Sequence, residues 1–189
     1  MKTKFLSITD IYTGTINEHK DILSLDIKDI KENILYNYIN ENFKDNIKED
    51  VAIENSKHIS NFDFYIRDML SKTHFDIFKS GKKITMKNAV GNVFLPQQQS
   101  SNRSRVNLVD YYNSPDYTII FAVDVKDNSS NLIVEYSDHR RRGRAWDFPV
   151  LNNYYWIFPA SLRYYISKNK SEKINTFLTL TYEDHKHIS

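Results

Sequence analysis

From Tyr117 to Glu183 the sequence repeats one unit, a short apolar segment followed by a polar hinge. The segments are Thr118 to Val125, Asn131 to Tyr136, Trp146 to Val150, Tyr154 to Phe158, Tyr164 to Ser167 and Thr176 to Tyr182. They are rich in β-branched and aromatic residues and too short for stable helices, so each is expected to form a strand. Hinges such as Lys126 to Ser130 leave no room for the crossover that a parallel pair requires. The expected product is an antiparallel jelly roll.

Upstream, the period changes. Ile27, Ile30, Ile34, Leu35, Tyr38, Ile39 and Phe43 recur at helical spacing, with Asp26 as the expected N-cap. Residues 44–60 are polar and read as a loop. Phe62, Tyr65, Ile66, Met69, Leu70, Phe75 and Phe78 predict a second helix from about Asn61 to Lys79, stopped by Gly81. Residues 4–16 alternate weakly and predict one or two short strands. Ile84 to Leu95 and Val106 to Tyr112 predict two more, separated by a polar loop over residues 96–104. Two N-terminal helices and then about eight short antiparallel strands make an α+β order. A length of 189 residues fits a single domain over 1–189. Within it, 1–82 is the helical part, 83–183 the strand-rich part and 184–189 a polar tail.

Composition removes several function classes. The absence of cysteine excludes disulfides, thiolate metal sites and thiol nucleophiles. A net charge of +2 is too small to imply a polyanion partner by itself. No segment has the length and apolarity of a transmembrane helix, and no membrane role is expected. No apolar signal core follows Met1 to Phe5, so export through a signal peptide is not expected.

The order Thr118 to Val125, Asn131 to Tyr136, Asp138-His139-Arg140, Ile157-Phe158-Pro159 and Thr176 to Tyr182 resembles the C-terminal half of the iron(II)- and 2-oxoglutarate-dependent oxygenases. The similar branch comprises phage and marine-bacterial proteins related to prolyl hydroxylases. The resemblance implies a double-stranded β-helix, a jelly roll of the cupin-like kind. It also implies two histidines and a carboxylate on one face of an iron ion. The position implied for the last histidine holds Tyr164. The stretch implied for the first histidine and carboxylate, residues 107–116, contains Asp110 and Asp116 and no histidine. The basic residue expected to hold the co-substrate falls on Asn175 or Thr176, with Lys173 nearby. The metal ligands therefore read as lost, and neither iron(II) nor 2-oxoglutarate is expected as a cofactor. An active hydroxylase with non-standard ligands (drawn from His139, Asp110, Asp116 or His74) is the alternative.

Other candidates have plainer readings. His74-Phe75-Asp76 has the His-x-carboxylate spelling but falls in the second helix, where residues two apart do not share a face. His185 and His187, beside Asp184, read as a solvated tail. Arg140, Arg141, Arg142 and Arg144 form the dense basic run. They suit phosphate contacts or an acidic partner chain, against a solvated loop as the simpler reading. Trp146, Phe148, Tyr154, Tyr155 and Trp156 are able to stack on bases, though core and interface duty fits strand alternation better. The pairs Tyr111-Tyr112, Tyr154-Tyr155 and Tyr164-Tyr165 are each expected to place one ring inward and one outward. Tyr111, Tyr112, Tyr154, Tyr155 and Tyr165 are accordingly candidates for an interface, unless the 13 tyrosines only reflect an AT-rich compositional bias.

The expected function is a non-catalytic, oxygenase-like β-helix that serves as a structural or interaction subunit of a larger assembly. A phage virion is the expected setting, as a tail, neck or capsid accessory component. The expected partners are other protein subunits, and the expected location is the virion or the cytoplasm of the infected host. The alternatives are the active hydroxylase and a nucleic-acid-binding module using residues 140–144.

Overall fold

The computed structural model describes residues 10–16, 20–42, 50–53, 57–73, 83–136 and 144–185. Their elements are, in order, β1 (Tyr12–Thr15), α1 (Lys20–Asn42), β2 (Asp50–Ala52), α2 (Lys57–Thr73), β3 (Lys83–Phe94), β4 (Tyr117–Asp124), β5 (Asn131–Tyr136), β6 (Arg144–Pro149), β7 (Tyr154–Pro159), β8 (Arg163–Ile166) and β9 (Asn175–His185). One sheet runs β1-β7-β4-β9-β3-β2 and the other runs β6-β5-β8. Every pairing within them is antiparallel.

The larger sheet is covered on both faces, and strand alternation assigns the residues. Ile119, Phe121 and Val123 of β4 join Leu178, Leu180 and Tyr182 of β9 in a core against Ile30 and Ile34 of α1 and Phe62 and Ile66 of α2. Phe62 lies 5.2 Å, ring to ring, from Phe121. The opposite face carries Ile120, Ala122, Phe94, Phe177, Trp156 and Phe158, which meet Leu132, Val134, Tyr164 and Ile166 of the smaller sheet. The two sheets thus enclose their own apolar interior, and the helices form an outer layer. This is the expected α+β double-stranded β-helix.

Close approach of α1 depends on Gly91, the residue opposite Val51 in the β2–β3 ladder. A Cβ there would lie 2.6 Å from Cγ1 of Ile34. Gly14 plays a similar part in β1, because a Cβ there would run into the Tyr155 ring.

Several sequence expectations need correction. Helix α1 starts at Lys20, so Asp26 lies inside it and not at its N-cap. The stretch read as a loop over 44–60 contains β2 and the start of α2. Helix α2 ends at Thr73, and His74, Phe75 and Phe78 lie outside the described residues. Val106 to Tyr112 forms turns and no strand. Asn107 Oδ1 accepts from the Val109 amide at 3.0 Å, and Ser114 Oγ donates to the Asp110 carbonyl at 2.8 Å. Such local side-chain bonds compete with a ladder for the backbone. The extended edge lies instead in the stretch read as a polar loop. There the Ser100 amide donates to the Ile166 carbonyl, and Arg103 and Tyr164 exchange both backbone bonds.

Candidate functional site at the barrel mouth

Strand register brings one end of the β-helix together. In the larger sheet Tyr117 stands opposite both Pro159 and Tyr182. In the smaller sheet Glu135 stands opposite Arg163, and Tyr136 opposite Arg144. The short link from Pro159 to Arg163 joins these ends into one mouth.

Tyr164 fills it from β8. Its side chain points inward, 2% exposed, and packs edge-on against Phe158 at 5.3 Å. The hydroxyl accepts a hydrogen bond from Arg105 Nε at 2.7 Å. The same guanidinium forks onto Asp50, with Nη1 to Oδ2 at 2.7 Å and Nη2 to Oδ1 at 3.1 Å. Arg103 Nη1 reaches Asp50 Oδ1 at 2.8 Å. Asn92 Nδ2 donates to that oxygen at 2.6 Å, and Asn92 Oδ1 accepts from Thr179 Oγ1 at 2.7 Å. One carboxylate therefore ties β2, β3, β9, β8 and the 100–105 edge together.

The electrostatics follow from this wiring. Burial opposes ionisation of Asp50, but Arg105 and Arg103 outweigh it and hold the carboxyl below its usual range. Burial likewise works against the charge of Arg105, and Asp50 and Tyr164 reverse the effect. Burial pushes the Tyr164 phenol up, against the pull of the two arginines. The phenol stays protonated and acts as an acceptor for Arg105. The cluster closes the gap between the sheets, and none of its groups is a poised base or nucleophile.

The residues singled out in the sequence are dispersed. Asp110 caps a turn, accepting from the Asn113 amide at 3.2 Å and side chain at 2.8 Å. Asp116 accepts from the Asp184 amide at 2.8 Å. Lys173 lies just ahead of β9, at the end of the barrel away from Tyr164. Asn175 is buried there, bonded to Ser129, Ser130 and the Lys126 amide. The residues opposite Tyr164 are Arg103 and Arg105, and not the 107–116 stretch. Tyr111 and Tyr112 both face solvent, because they sit on turns. Tyr155 is buried in the core shared with the helices, and Tyr154 is partly buried against the barrel interior. Tyr165 is half-buried on the outer face of β8. Arg144 opens β6, while Arg140, Arg141 and Arg142 lie outside the described residues. Asp50, Asn92, Arg103 and Arg105 were not singled out. Their one sequence signal is the period-2 spelling Arg103-x-Arg105 within a polar run.

No protein-family model matches the chain, and no curated protein matches it. Solved structures do. AviO1 from Streptomyces viridochromogenes matches with a TM-score of 0.64 at 10% identity, over 94% of this chain and 90% of that one. A prolyl-4-hydroxylase from Pseudomonas putida matches with a TM-score of 0.61 at 6% identity, over 93% and 92%. An oxidoreductase of the 2OG-Fe(II) oxygenase family from Burkholderia pseudomallei matches with a TM-score of 0.51 at 11% identity, over 71% of this chain. This chain spans 62% of that protein's length. The fold is that of the 2OG-Fe(II) oxygenases.

These neighbours correct the expectation that the barrel takes no cofactor. One of them is of the 2OG-Fe(II) oxygenase family, and another neighbour, the epimerase SnoN (TM-score 0.50, 8% identity, covering 68% of this chain and 59% of its own), is seen in complex with Fe3+ and alpha ketoglutarate. Beside Tyr164, however, the described residues do not fit an iron ion. They offer one carboxylate already shared by two guanidiniums, a protonated phenol, and two fixed positive charges that would repel a third. No group of three metal-ligating side chains occurs among the described residues. The side chains of His19, His58, His74, His139, His185 and His187 all lie outside the described ones.

Proposed function

We propose that this protein is a non-catalytic relative of the 2OG-Fe(II) oxygenase fold that acts as a structural or interaction subunit of a larger assembly. The observation that carries the reading is the half-buried Asp50–Arg103–Arg105–Tyr164 cluster, which stands where the mouth of the barrel would do chemistry and stabilises the mouth instead. A second observation supports the interaction role. The loop between β3 and β4 holds Leu108, Val109, Tyr111 and Tyr112 at 74%, 95%, 65% and 87% exposure. Its backbone is fixed by Asn107, Asp110 and Ser114, and Lys87 Nζ donates to its Asn113 carbonyl at 2.6 Å. Apolar side chains held in a preformed turn favour association, because little loop entropy is lost on contact. A virion component, in the particle or in the cytoplasm of the infected host, is the setting the sequence resemblance supports. No helix among the described residues is long and apolar enough to cross a membrane.

Two measurements test this. Purified protein supplied with iron(II), oxygen and 2-oxoglutarate is expected to release no succinate above background, and stoichiometric release overturns the non-catalytic reading. A photocrosslinking residue placed at Val109 in the producing cells is expected to give one discrete protein adduct, absent when the probe is at Lys126. No adduct, or the same adducts at both sites, overturns the interaction role.

A further inference from the structure

The exposed turn between β3 and β4 has a counterpart on the same molecule. At the other end of the barrel a cleft of about 360 Å³ opens between α1 and the ends of β4 and β9, and its described lining includes Lys31, Leu35, Val125, Lys126, Lys173 and Ile174. Leu35, Val125 and Ile174 give it an apolar surface, with Ile174 44% exposed. Lys31 is paired with Asp124. Lys126 and Lys173 are exposed, and neither forms an ion pair with a described residue. Of the acids beside them in sequence, Asp127 accepts from the Asn152 amide at 2.7 Å, and Glu172 does not line the cleft. The turn has the opposite character. From Val106 to Tyr117 the chain carries two aspartates, Asp110 and Asp116, and no cation. Lys87, which donates to the Asn113 carbonyl, is itself paired with Glu183 at 3.0 Å. Leu108, Val109, Tyr111 and Tyr112 stand exposed on either side of Asp110.

Strand β4 fixes how the two surfaces are related. The turn leads into Tyr117, the first residue of β4, while Asp124, the last, stands opposite Thr176 and lines the cleft with it. An eight-residue strand spans about 25 Å, so the turn and the cleft lie at opposite ends of the barrel and do not meet within one molecule. One chain thus carries an apolar, acidic projection at one end and an apolar, basic recess at the other. We propose that the partner of the turn is a second copy of this chain, whose cleft receives the apolar side chains of the turn while Asp110 faces Lys126 and Lys173. This rests on the interaction role given to the turn above. Burial of the exposed apolar side chains drives the contact, and the opposite charges orient it. Two different surfaces meet, so each bound copy still offers a free turn or a free cleft to the next. Repetition makes a ring where the rotation closes and a filament where it does not.

Sedimentation of the purified full chain over a range of concentrations tests this. The wild type is expected to associate beyond a dimer, and more weakly as salt rises. Val109→Asp spoils the turn and Lys126→Glu/Lys173→Glu spoils the cleft, and each variant alone is expected to associate more weakly by about tenfold or more. An equimolar mixture of the two variants is expected to regain association but to stop at the dimer, because only one intact turn and one intact cleft remain to meet. Unchanged circular dichroism of each variant shows that lost association is not lost folding. A mixture that stays monomeric overturns the proposal. So does a cleft variant that associates as the wild type does, since the turn then meets some other surface. A monomeric wild type overturns it as well, and the photocrosslink at Val109 then separates the two readings. A discrete adduct to a different protein leaves the interaction role standing, whereas no adduct removes both.

Discussion

Arg105 serves Tyr164 twice, donating to its hydroxyl at 2.7 Å and holding its guanidinium carbon 5.9 Å from the centre of the same ring. The phenol is the acceptor that Arg105 Nε would otherwise lack. Tyr164→Phe is therefore expected to lower stability by about 1–3 kcal/mol, the cost of an orphaned buried donor, while the fold is kept. Urea denaturation of the pair of proteins measures it. An unchanged midpoint would show that the bond contributes nothing net.

Arg103 and Arg105 share the Asp50 carboxylate. Its folded carboxyl titrates below the unfolded one, near pH 4. The stability it contributes is thus present above about pH 4 and lost as pH falls through the lower folded value. Asp50→Asn is expected to destabilise the protein at pH 7 and to flatten the acid limb of its stability profile. The loss should fall short of the ~3–5 kcal/mol of a fully buried pair, since Asp50 keeps a third of its side chain in contact with solvent. Thermal melts between pH 3 and 7 check both parts.

On the helical side, Tyr182 donates to Asp63 at 2.7 Å, and Asp63 pairs with Arg67 at 2.7 Å. Burial first, and then the Asp63 charge, push this phenol well above its ordinary range. A raised folded value means that the stabilisation is complete below the unfolded pKa, near 10, and declines as pH rises above it. Tyr182→Phe should remove that alkaline decline and cost about 1–3 kcal/mol at neutral pH. Stability measured from pH 8 to 11 in both proteins decides it. A retained alkaline decline in Tyr182→Phe would place its origin elsewhere.

Gly91 allows α1 to rest on β3. Gly91→Ala is expected to destabilise by about 1–3 kcal/mol through overpacking against Ile34. In the background of Ile34→Ala the same change should cost much less, because the clashing Cγ1 and Cγ2 atoms are gone. A double-mutant cycle with no coupling would refute the contact.

The strands are legible in the sequence where both faces are covered. Thr118 to Val123 is buried along its length, so an unbroken apolar run marks it without any knowledge of its neighbours. The mouth cluster is not legible for the opposite reason. Arg103 and Arg105 lie on an edge whose ladder partner is remote, and a polar run such as Gln97 to Arg105 spells loop. Asp50 lies in the charged sequence Lys48-Glu49-Asp50, where nothing local distinguishes it from a solvated acid. Its role comes from a contact 55 positions away. Tyr164 stood out only because a histidine was expected there. The exposed turn over 107–114 was misread because its apolar residues imitate a strand, and only the side-chain bonds of Asn107, Asp110 and Ser114 separate the two.

The placement of β9 has a consequence for how the molecule is made. It follows every other strand in sequence, yet it lies between β3 and β4 in the larger sheet. Until residues 175–185 have emerged from the ribosome, β3 and β4 have no partner between them, and two backbone edges and much of both cores stay open. Nascent chains of this kind expose sticky strands until a late, long-range step closes the sheet. Synthesis that stalls before Asn175 should therefore yield aggregates or chaperone-bound chains, with no folded fragment that outlives the ribosome.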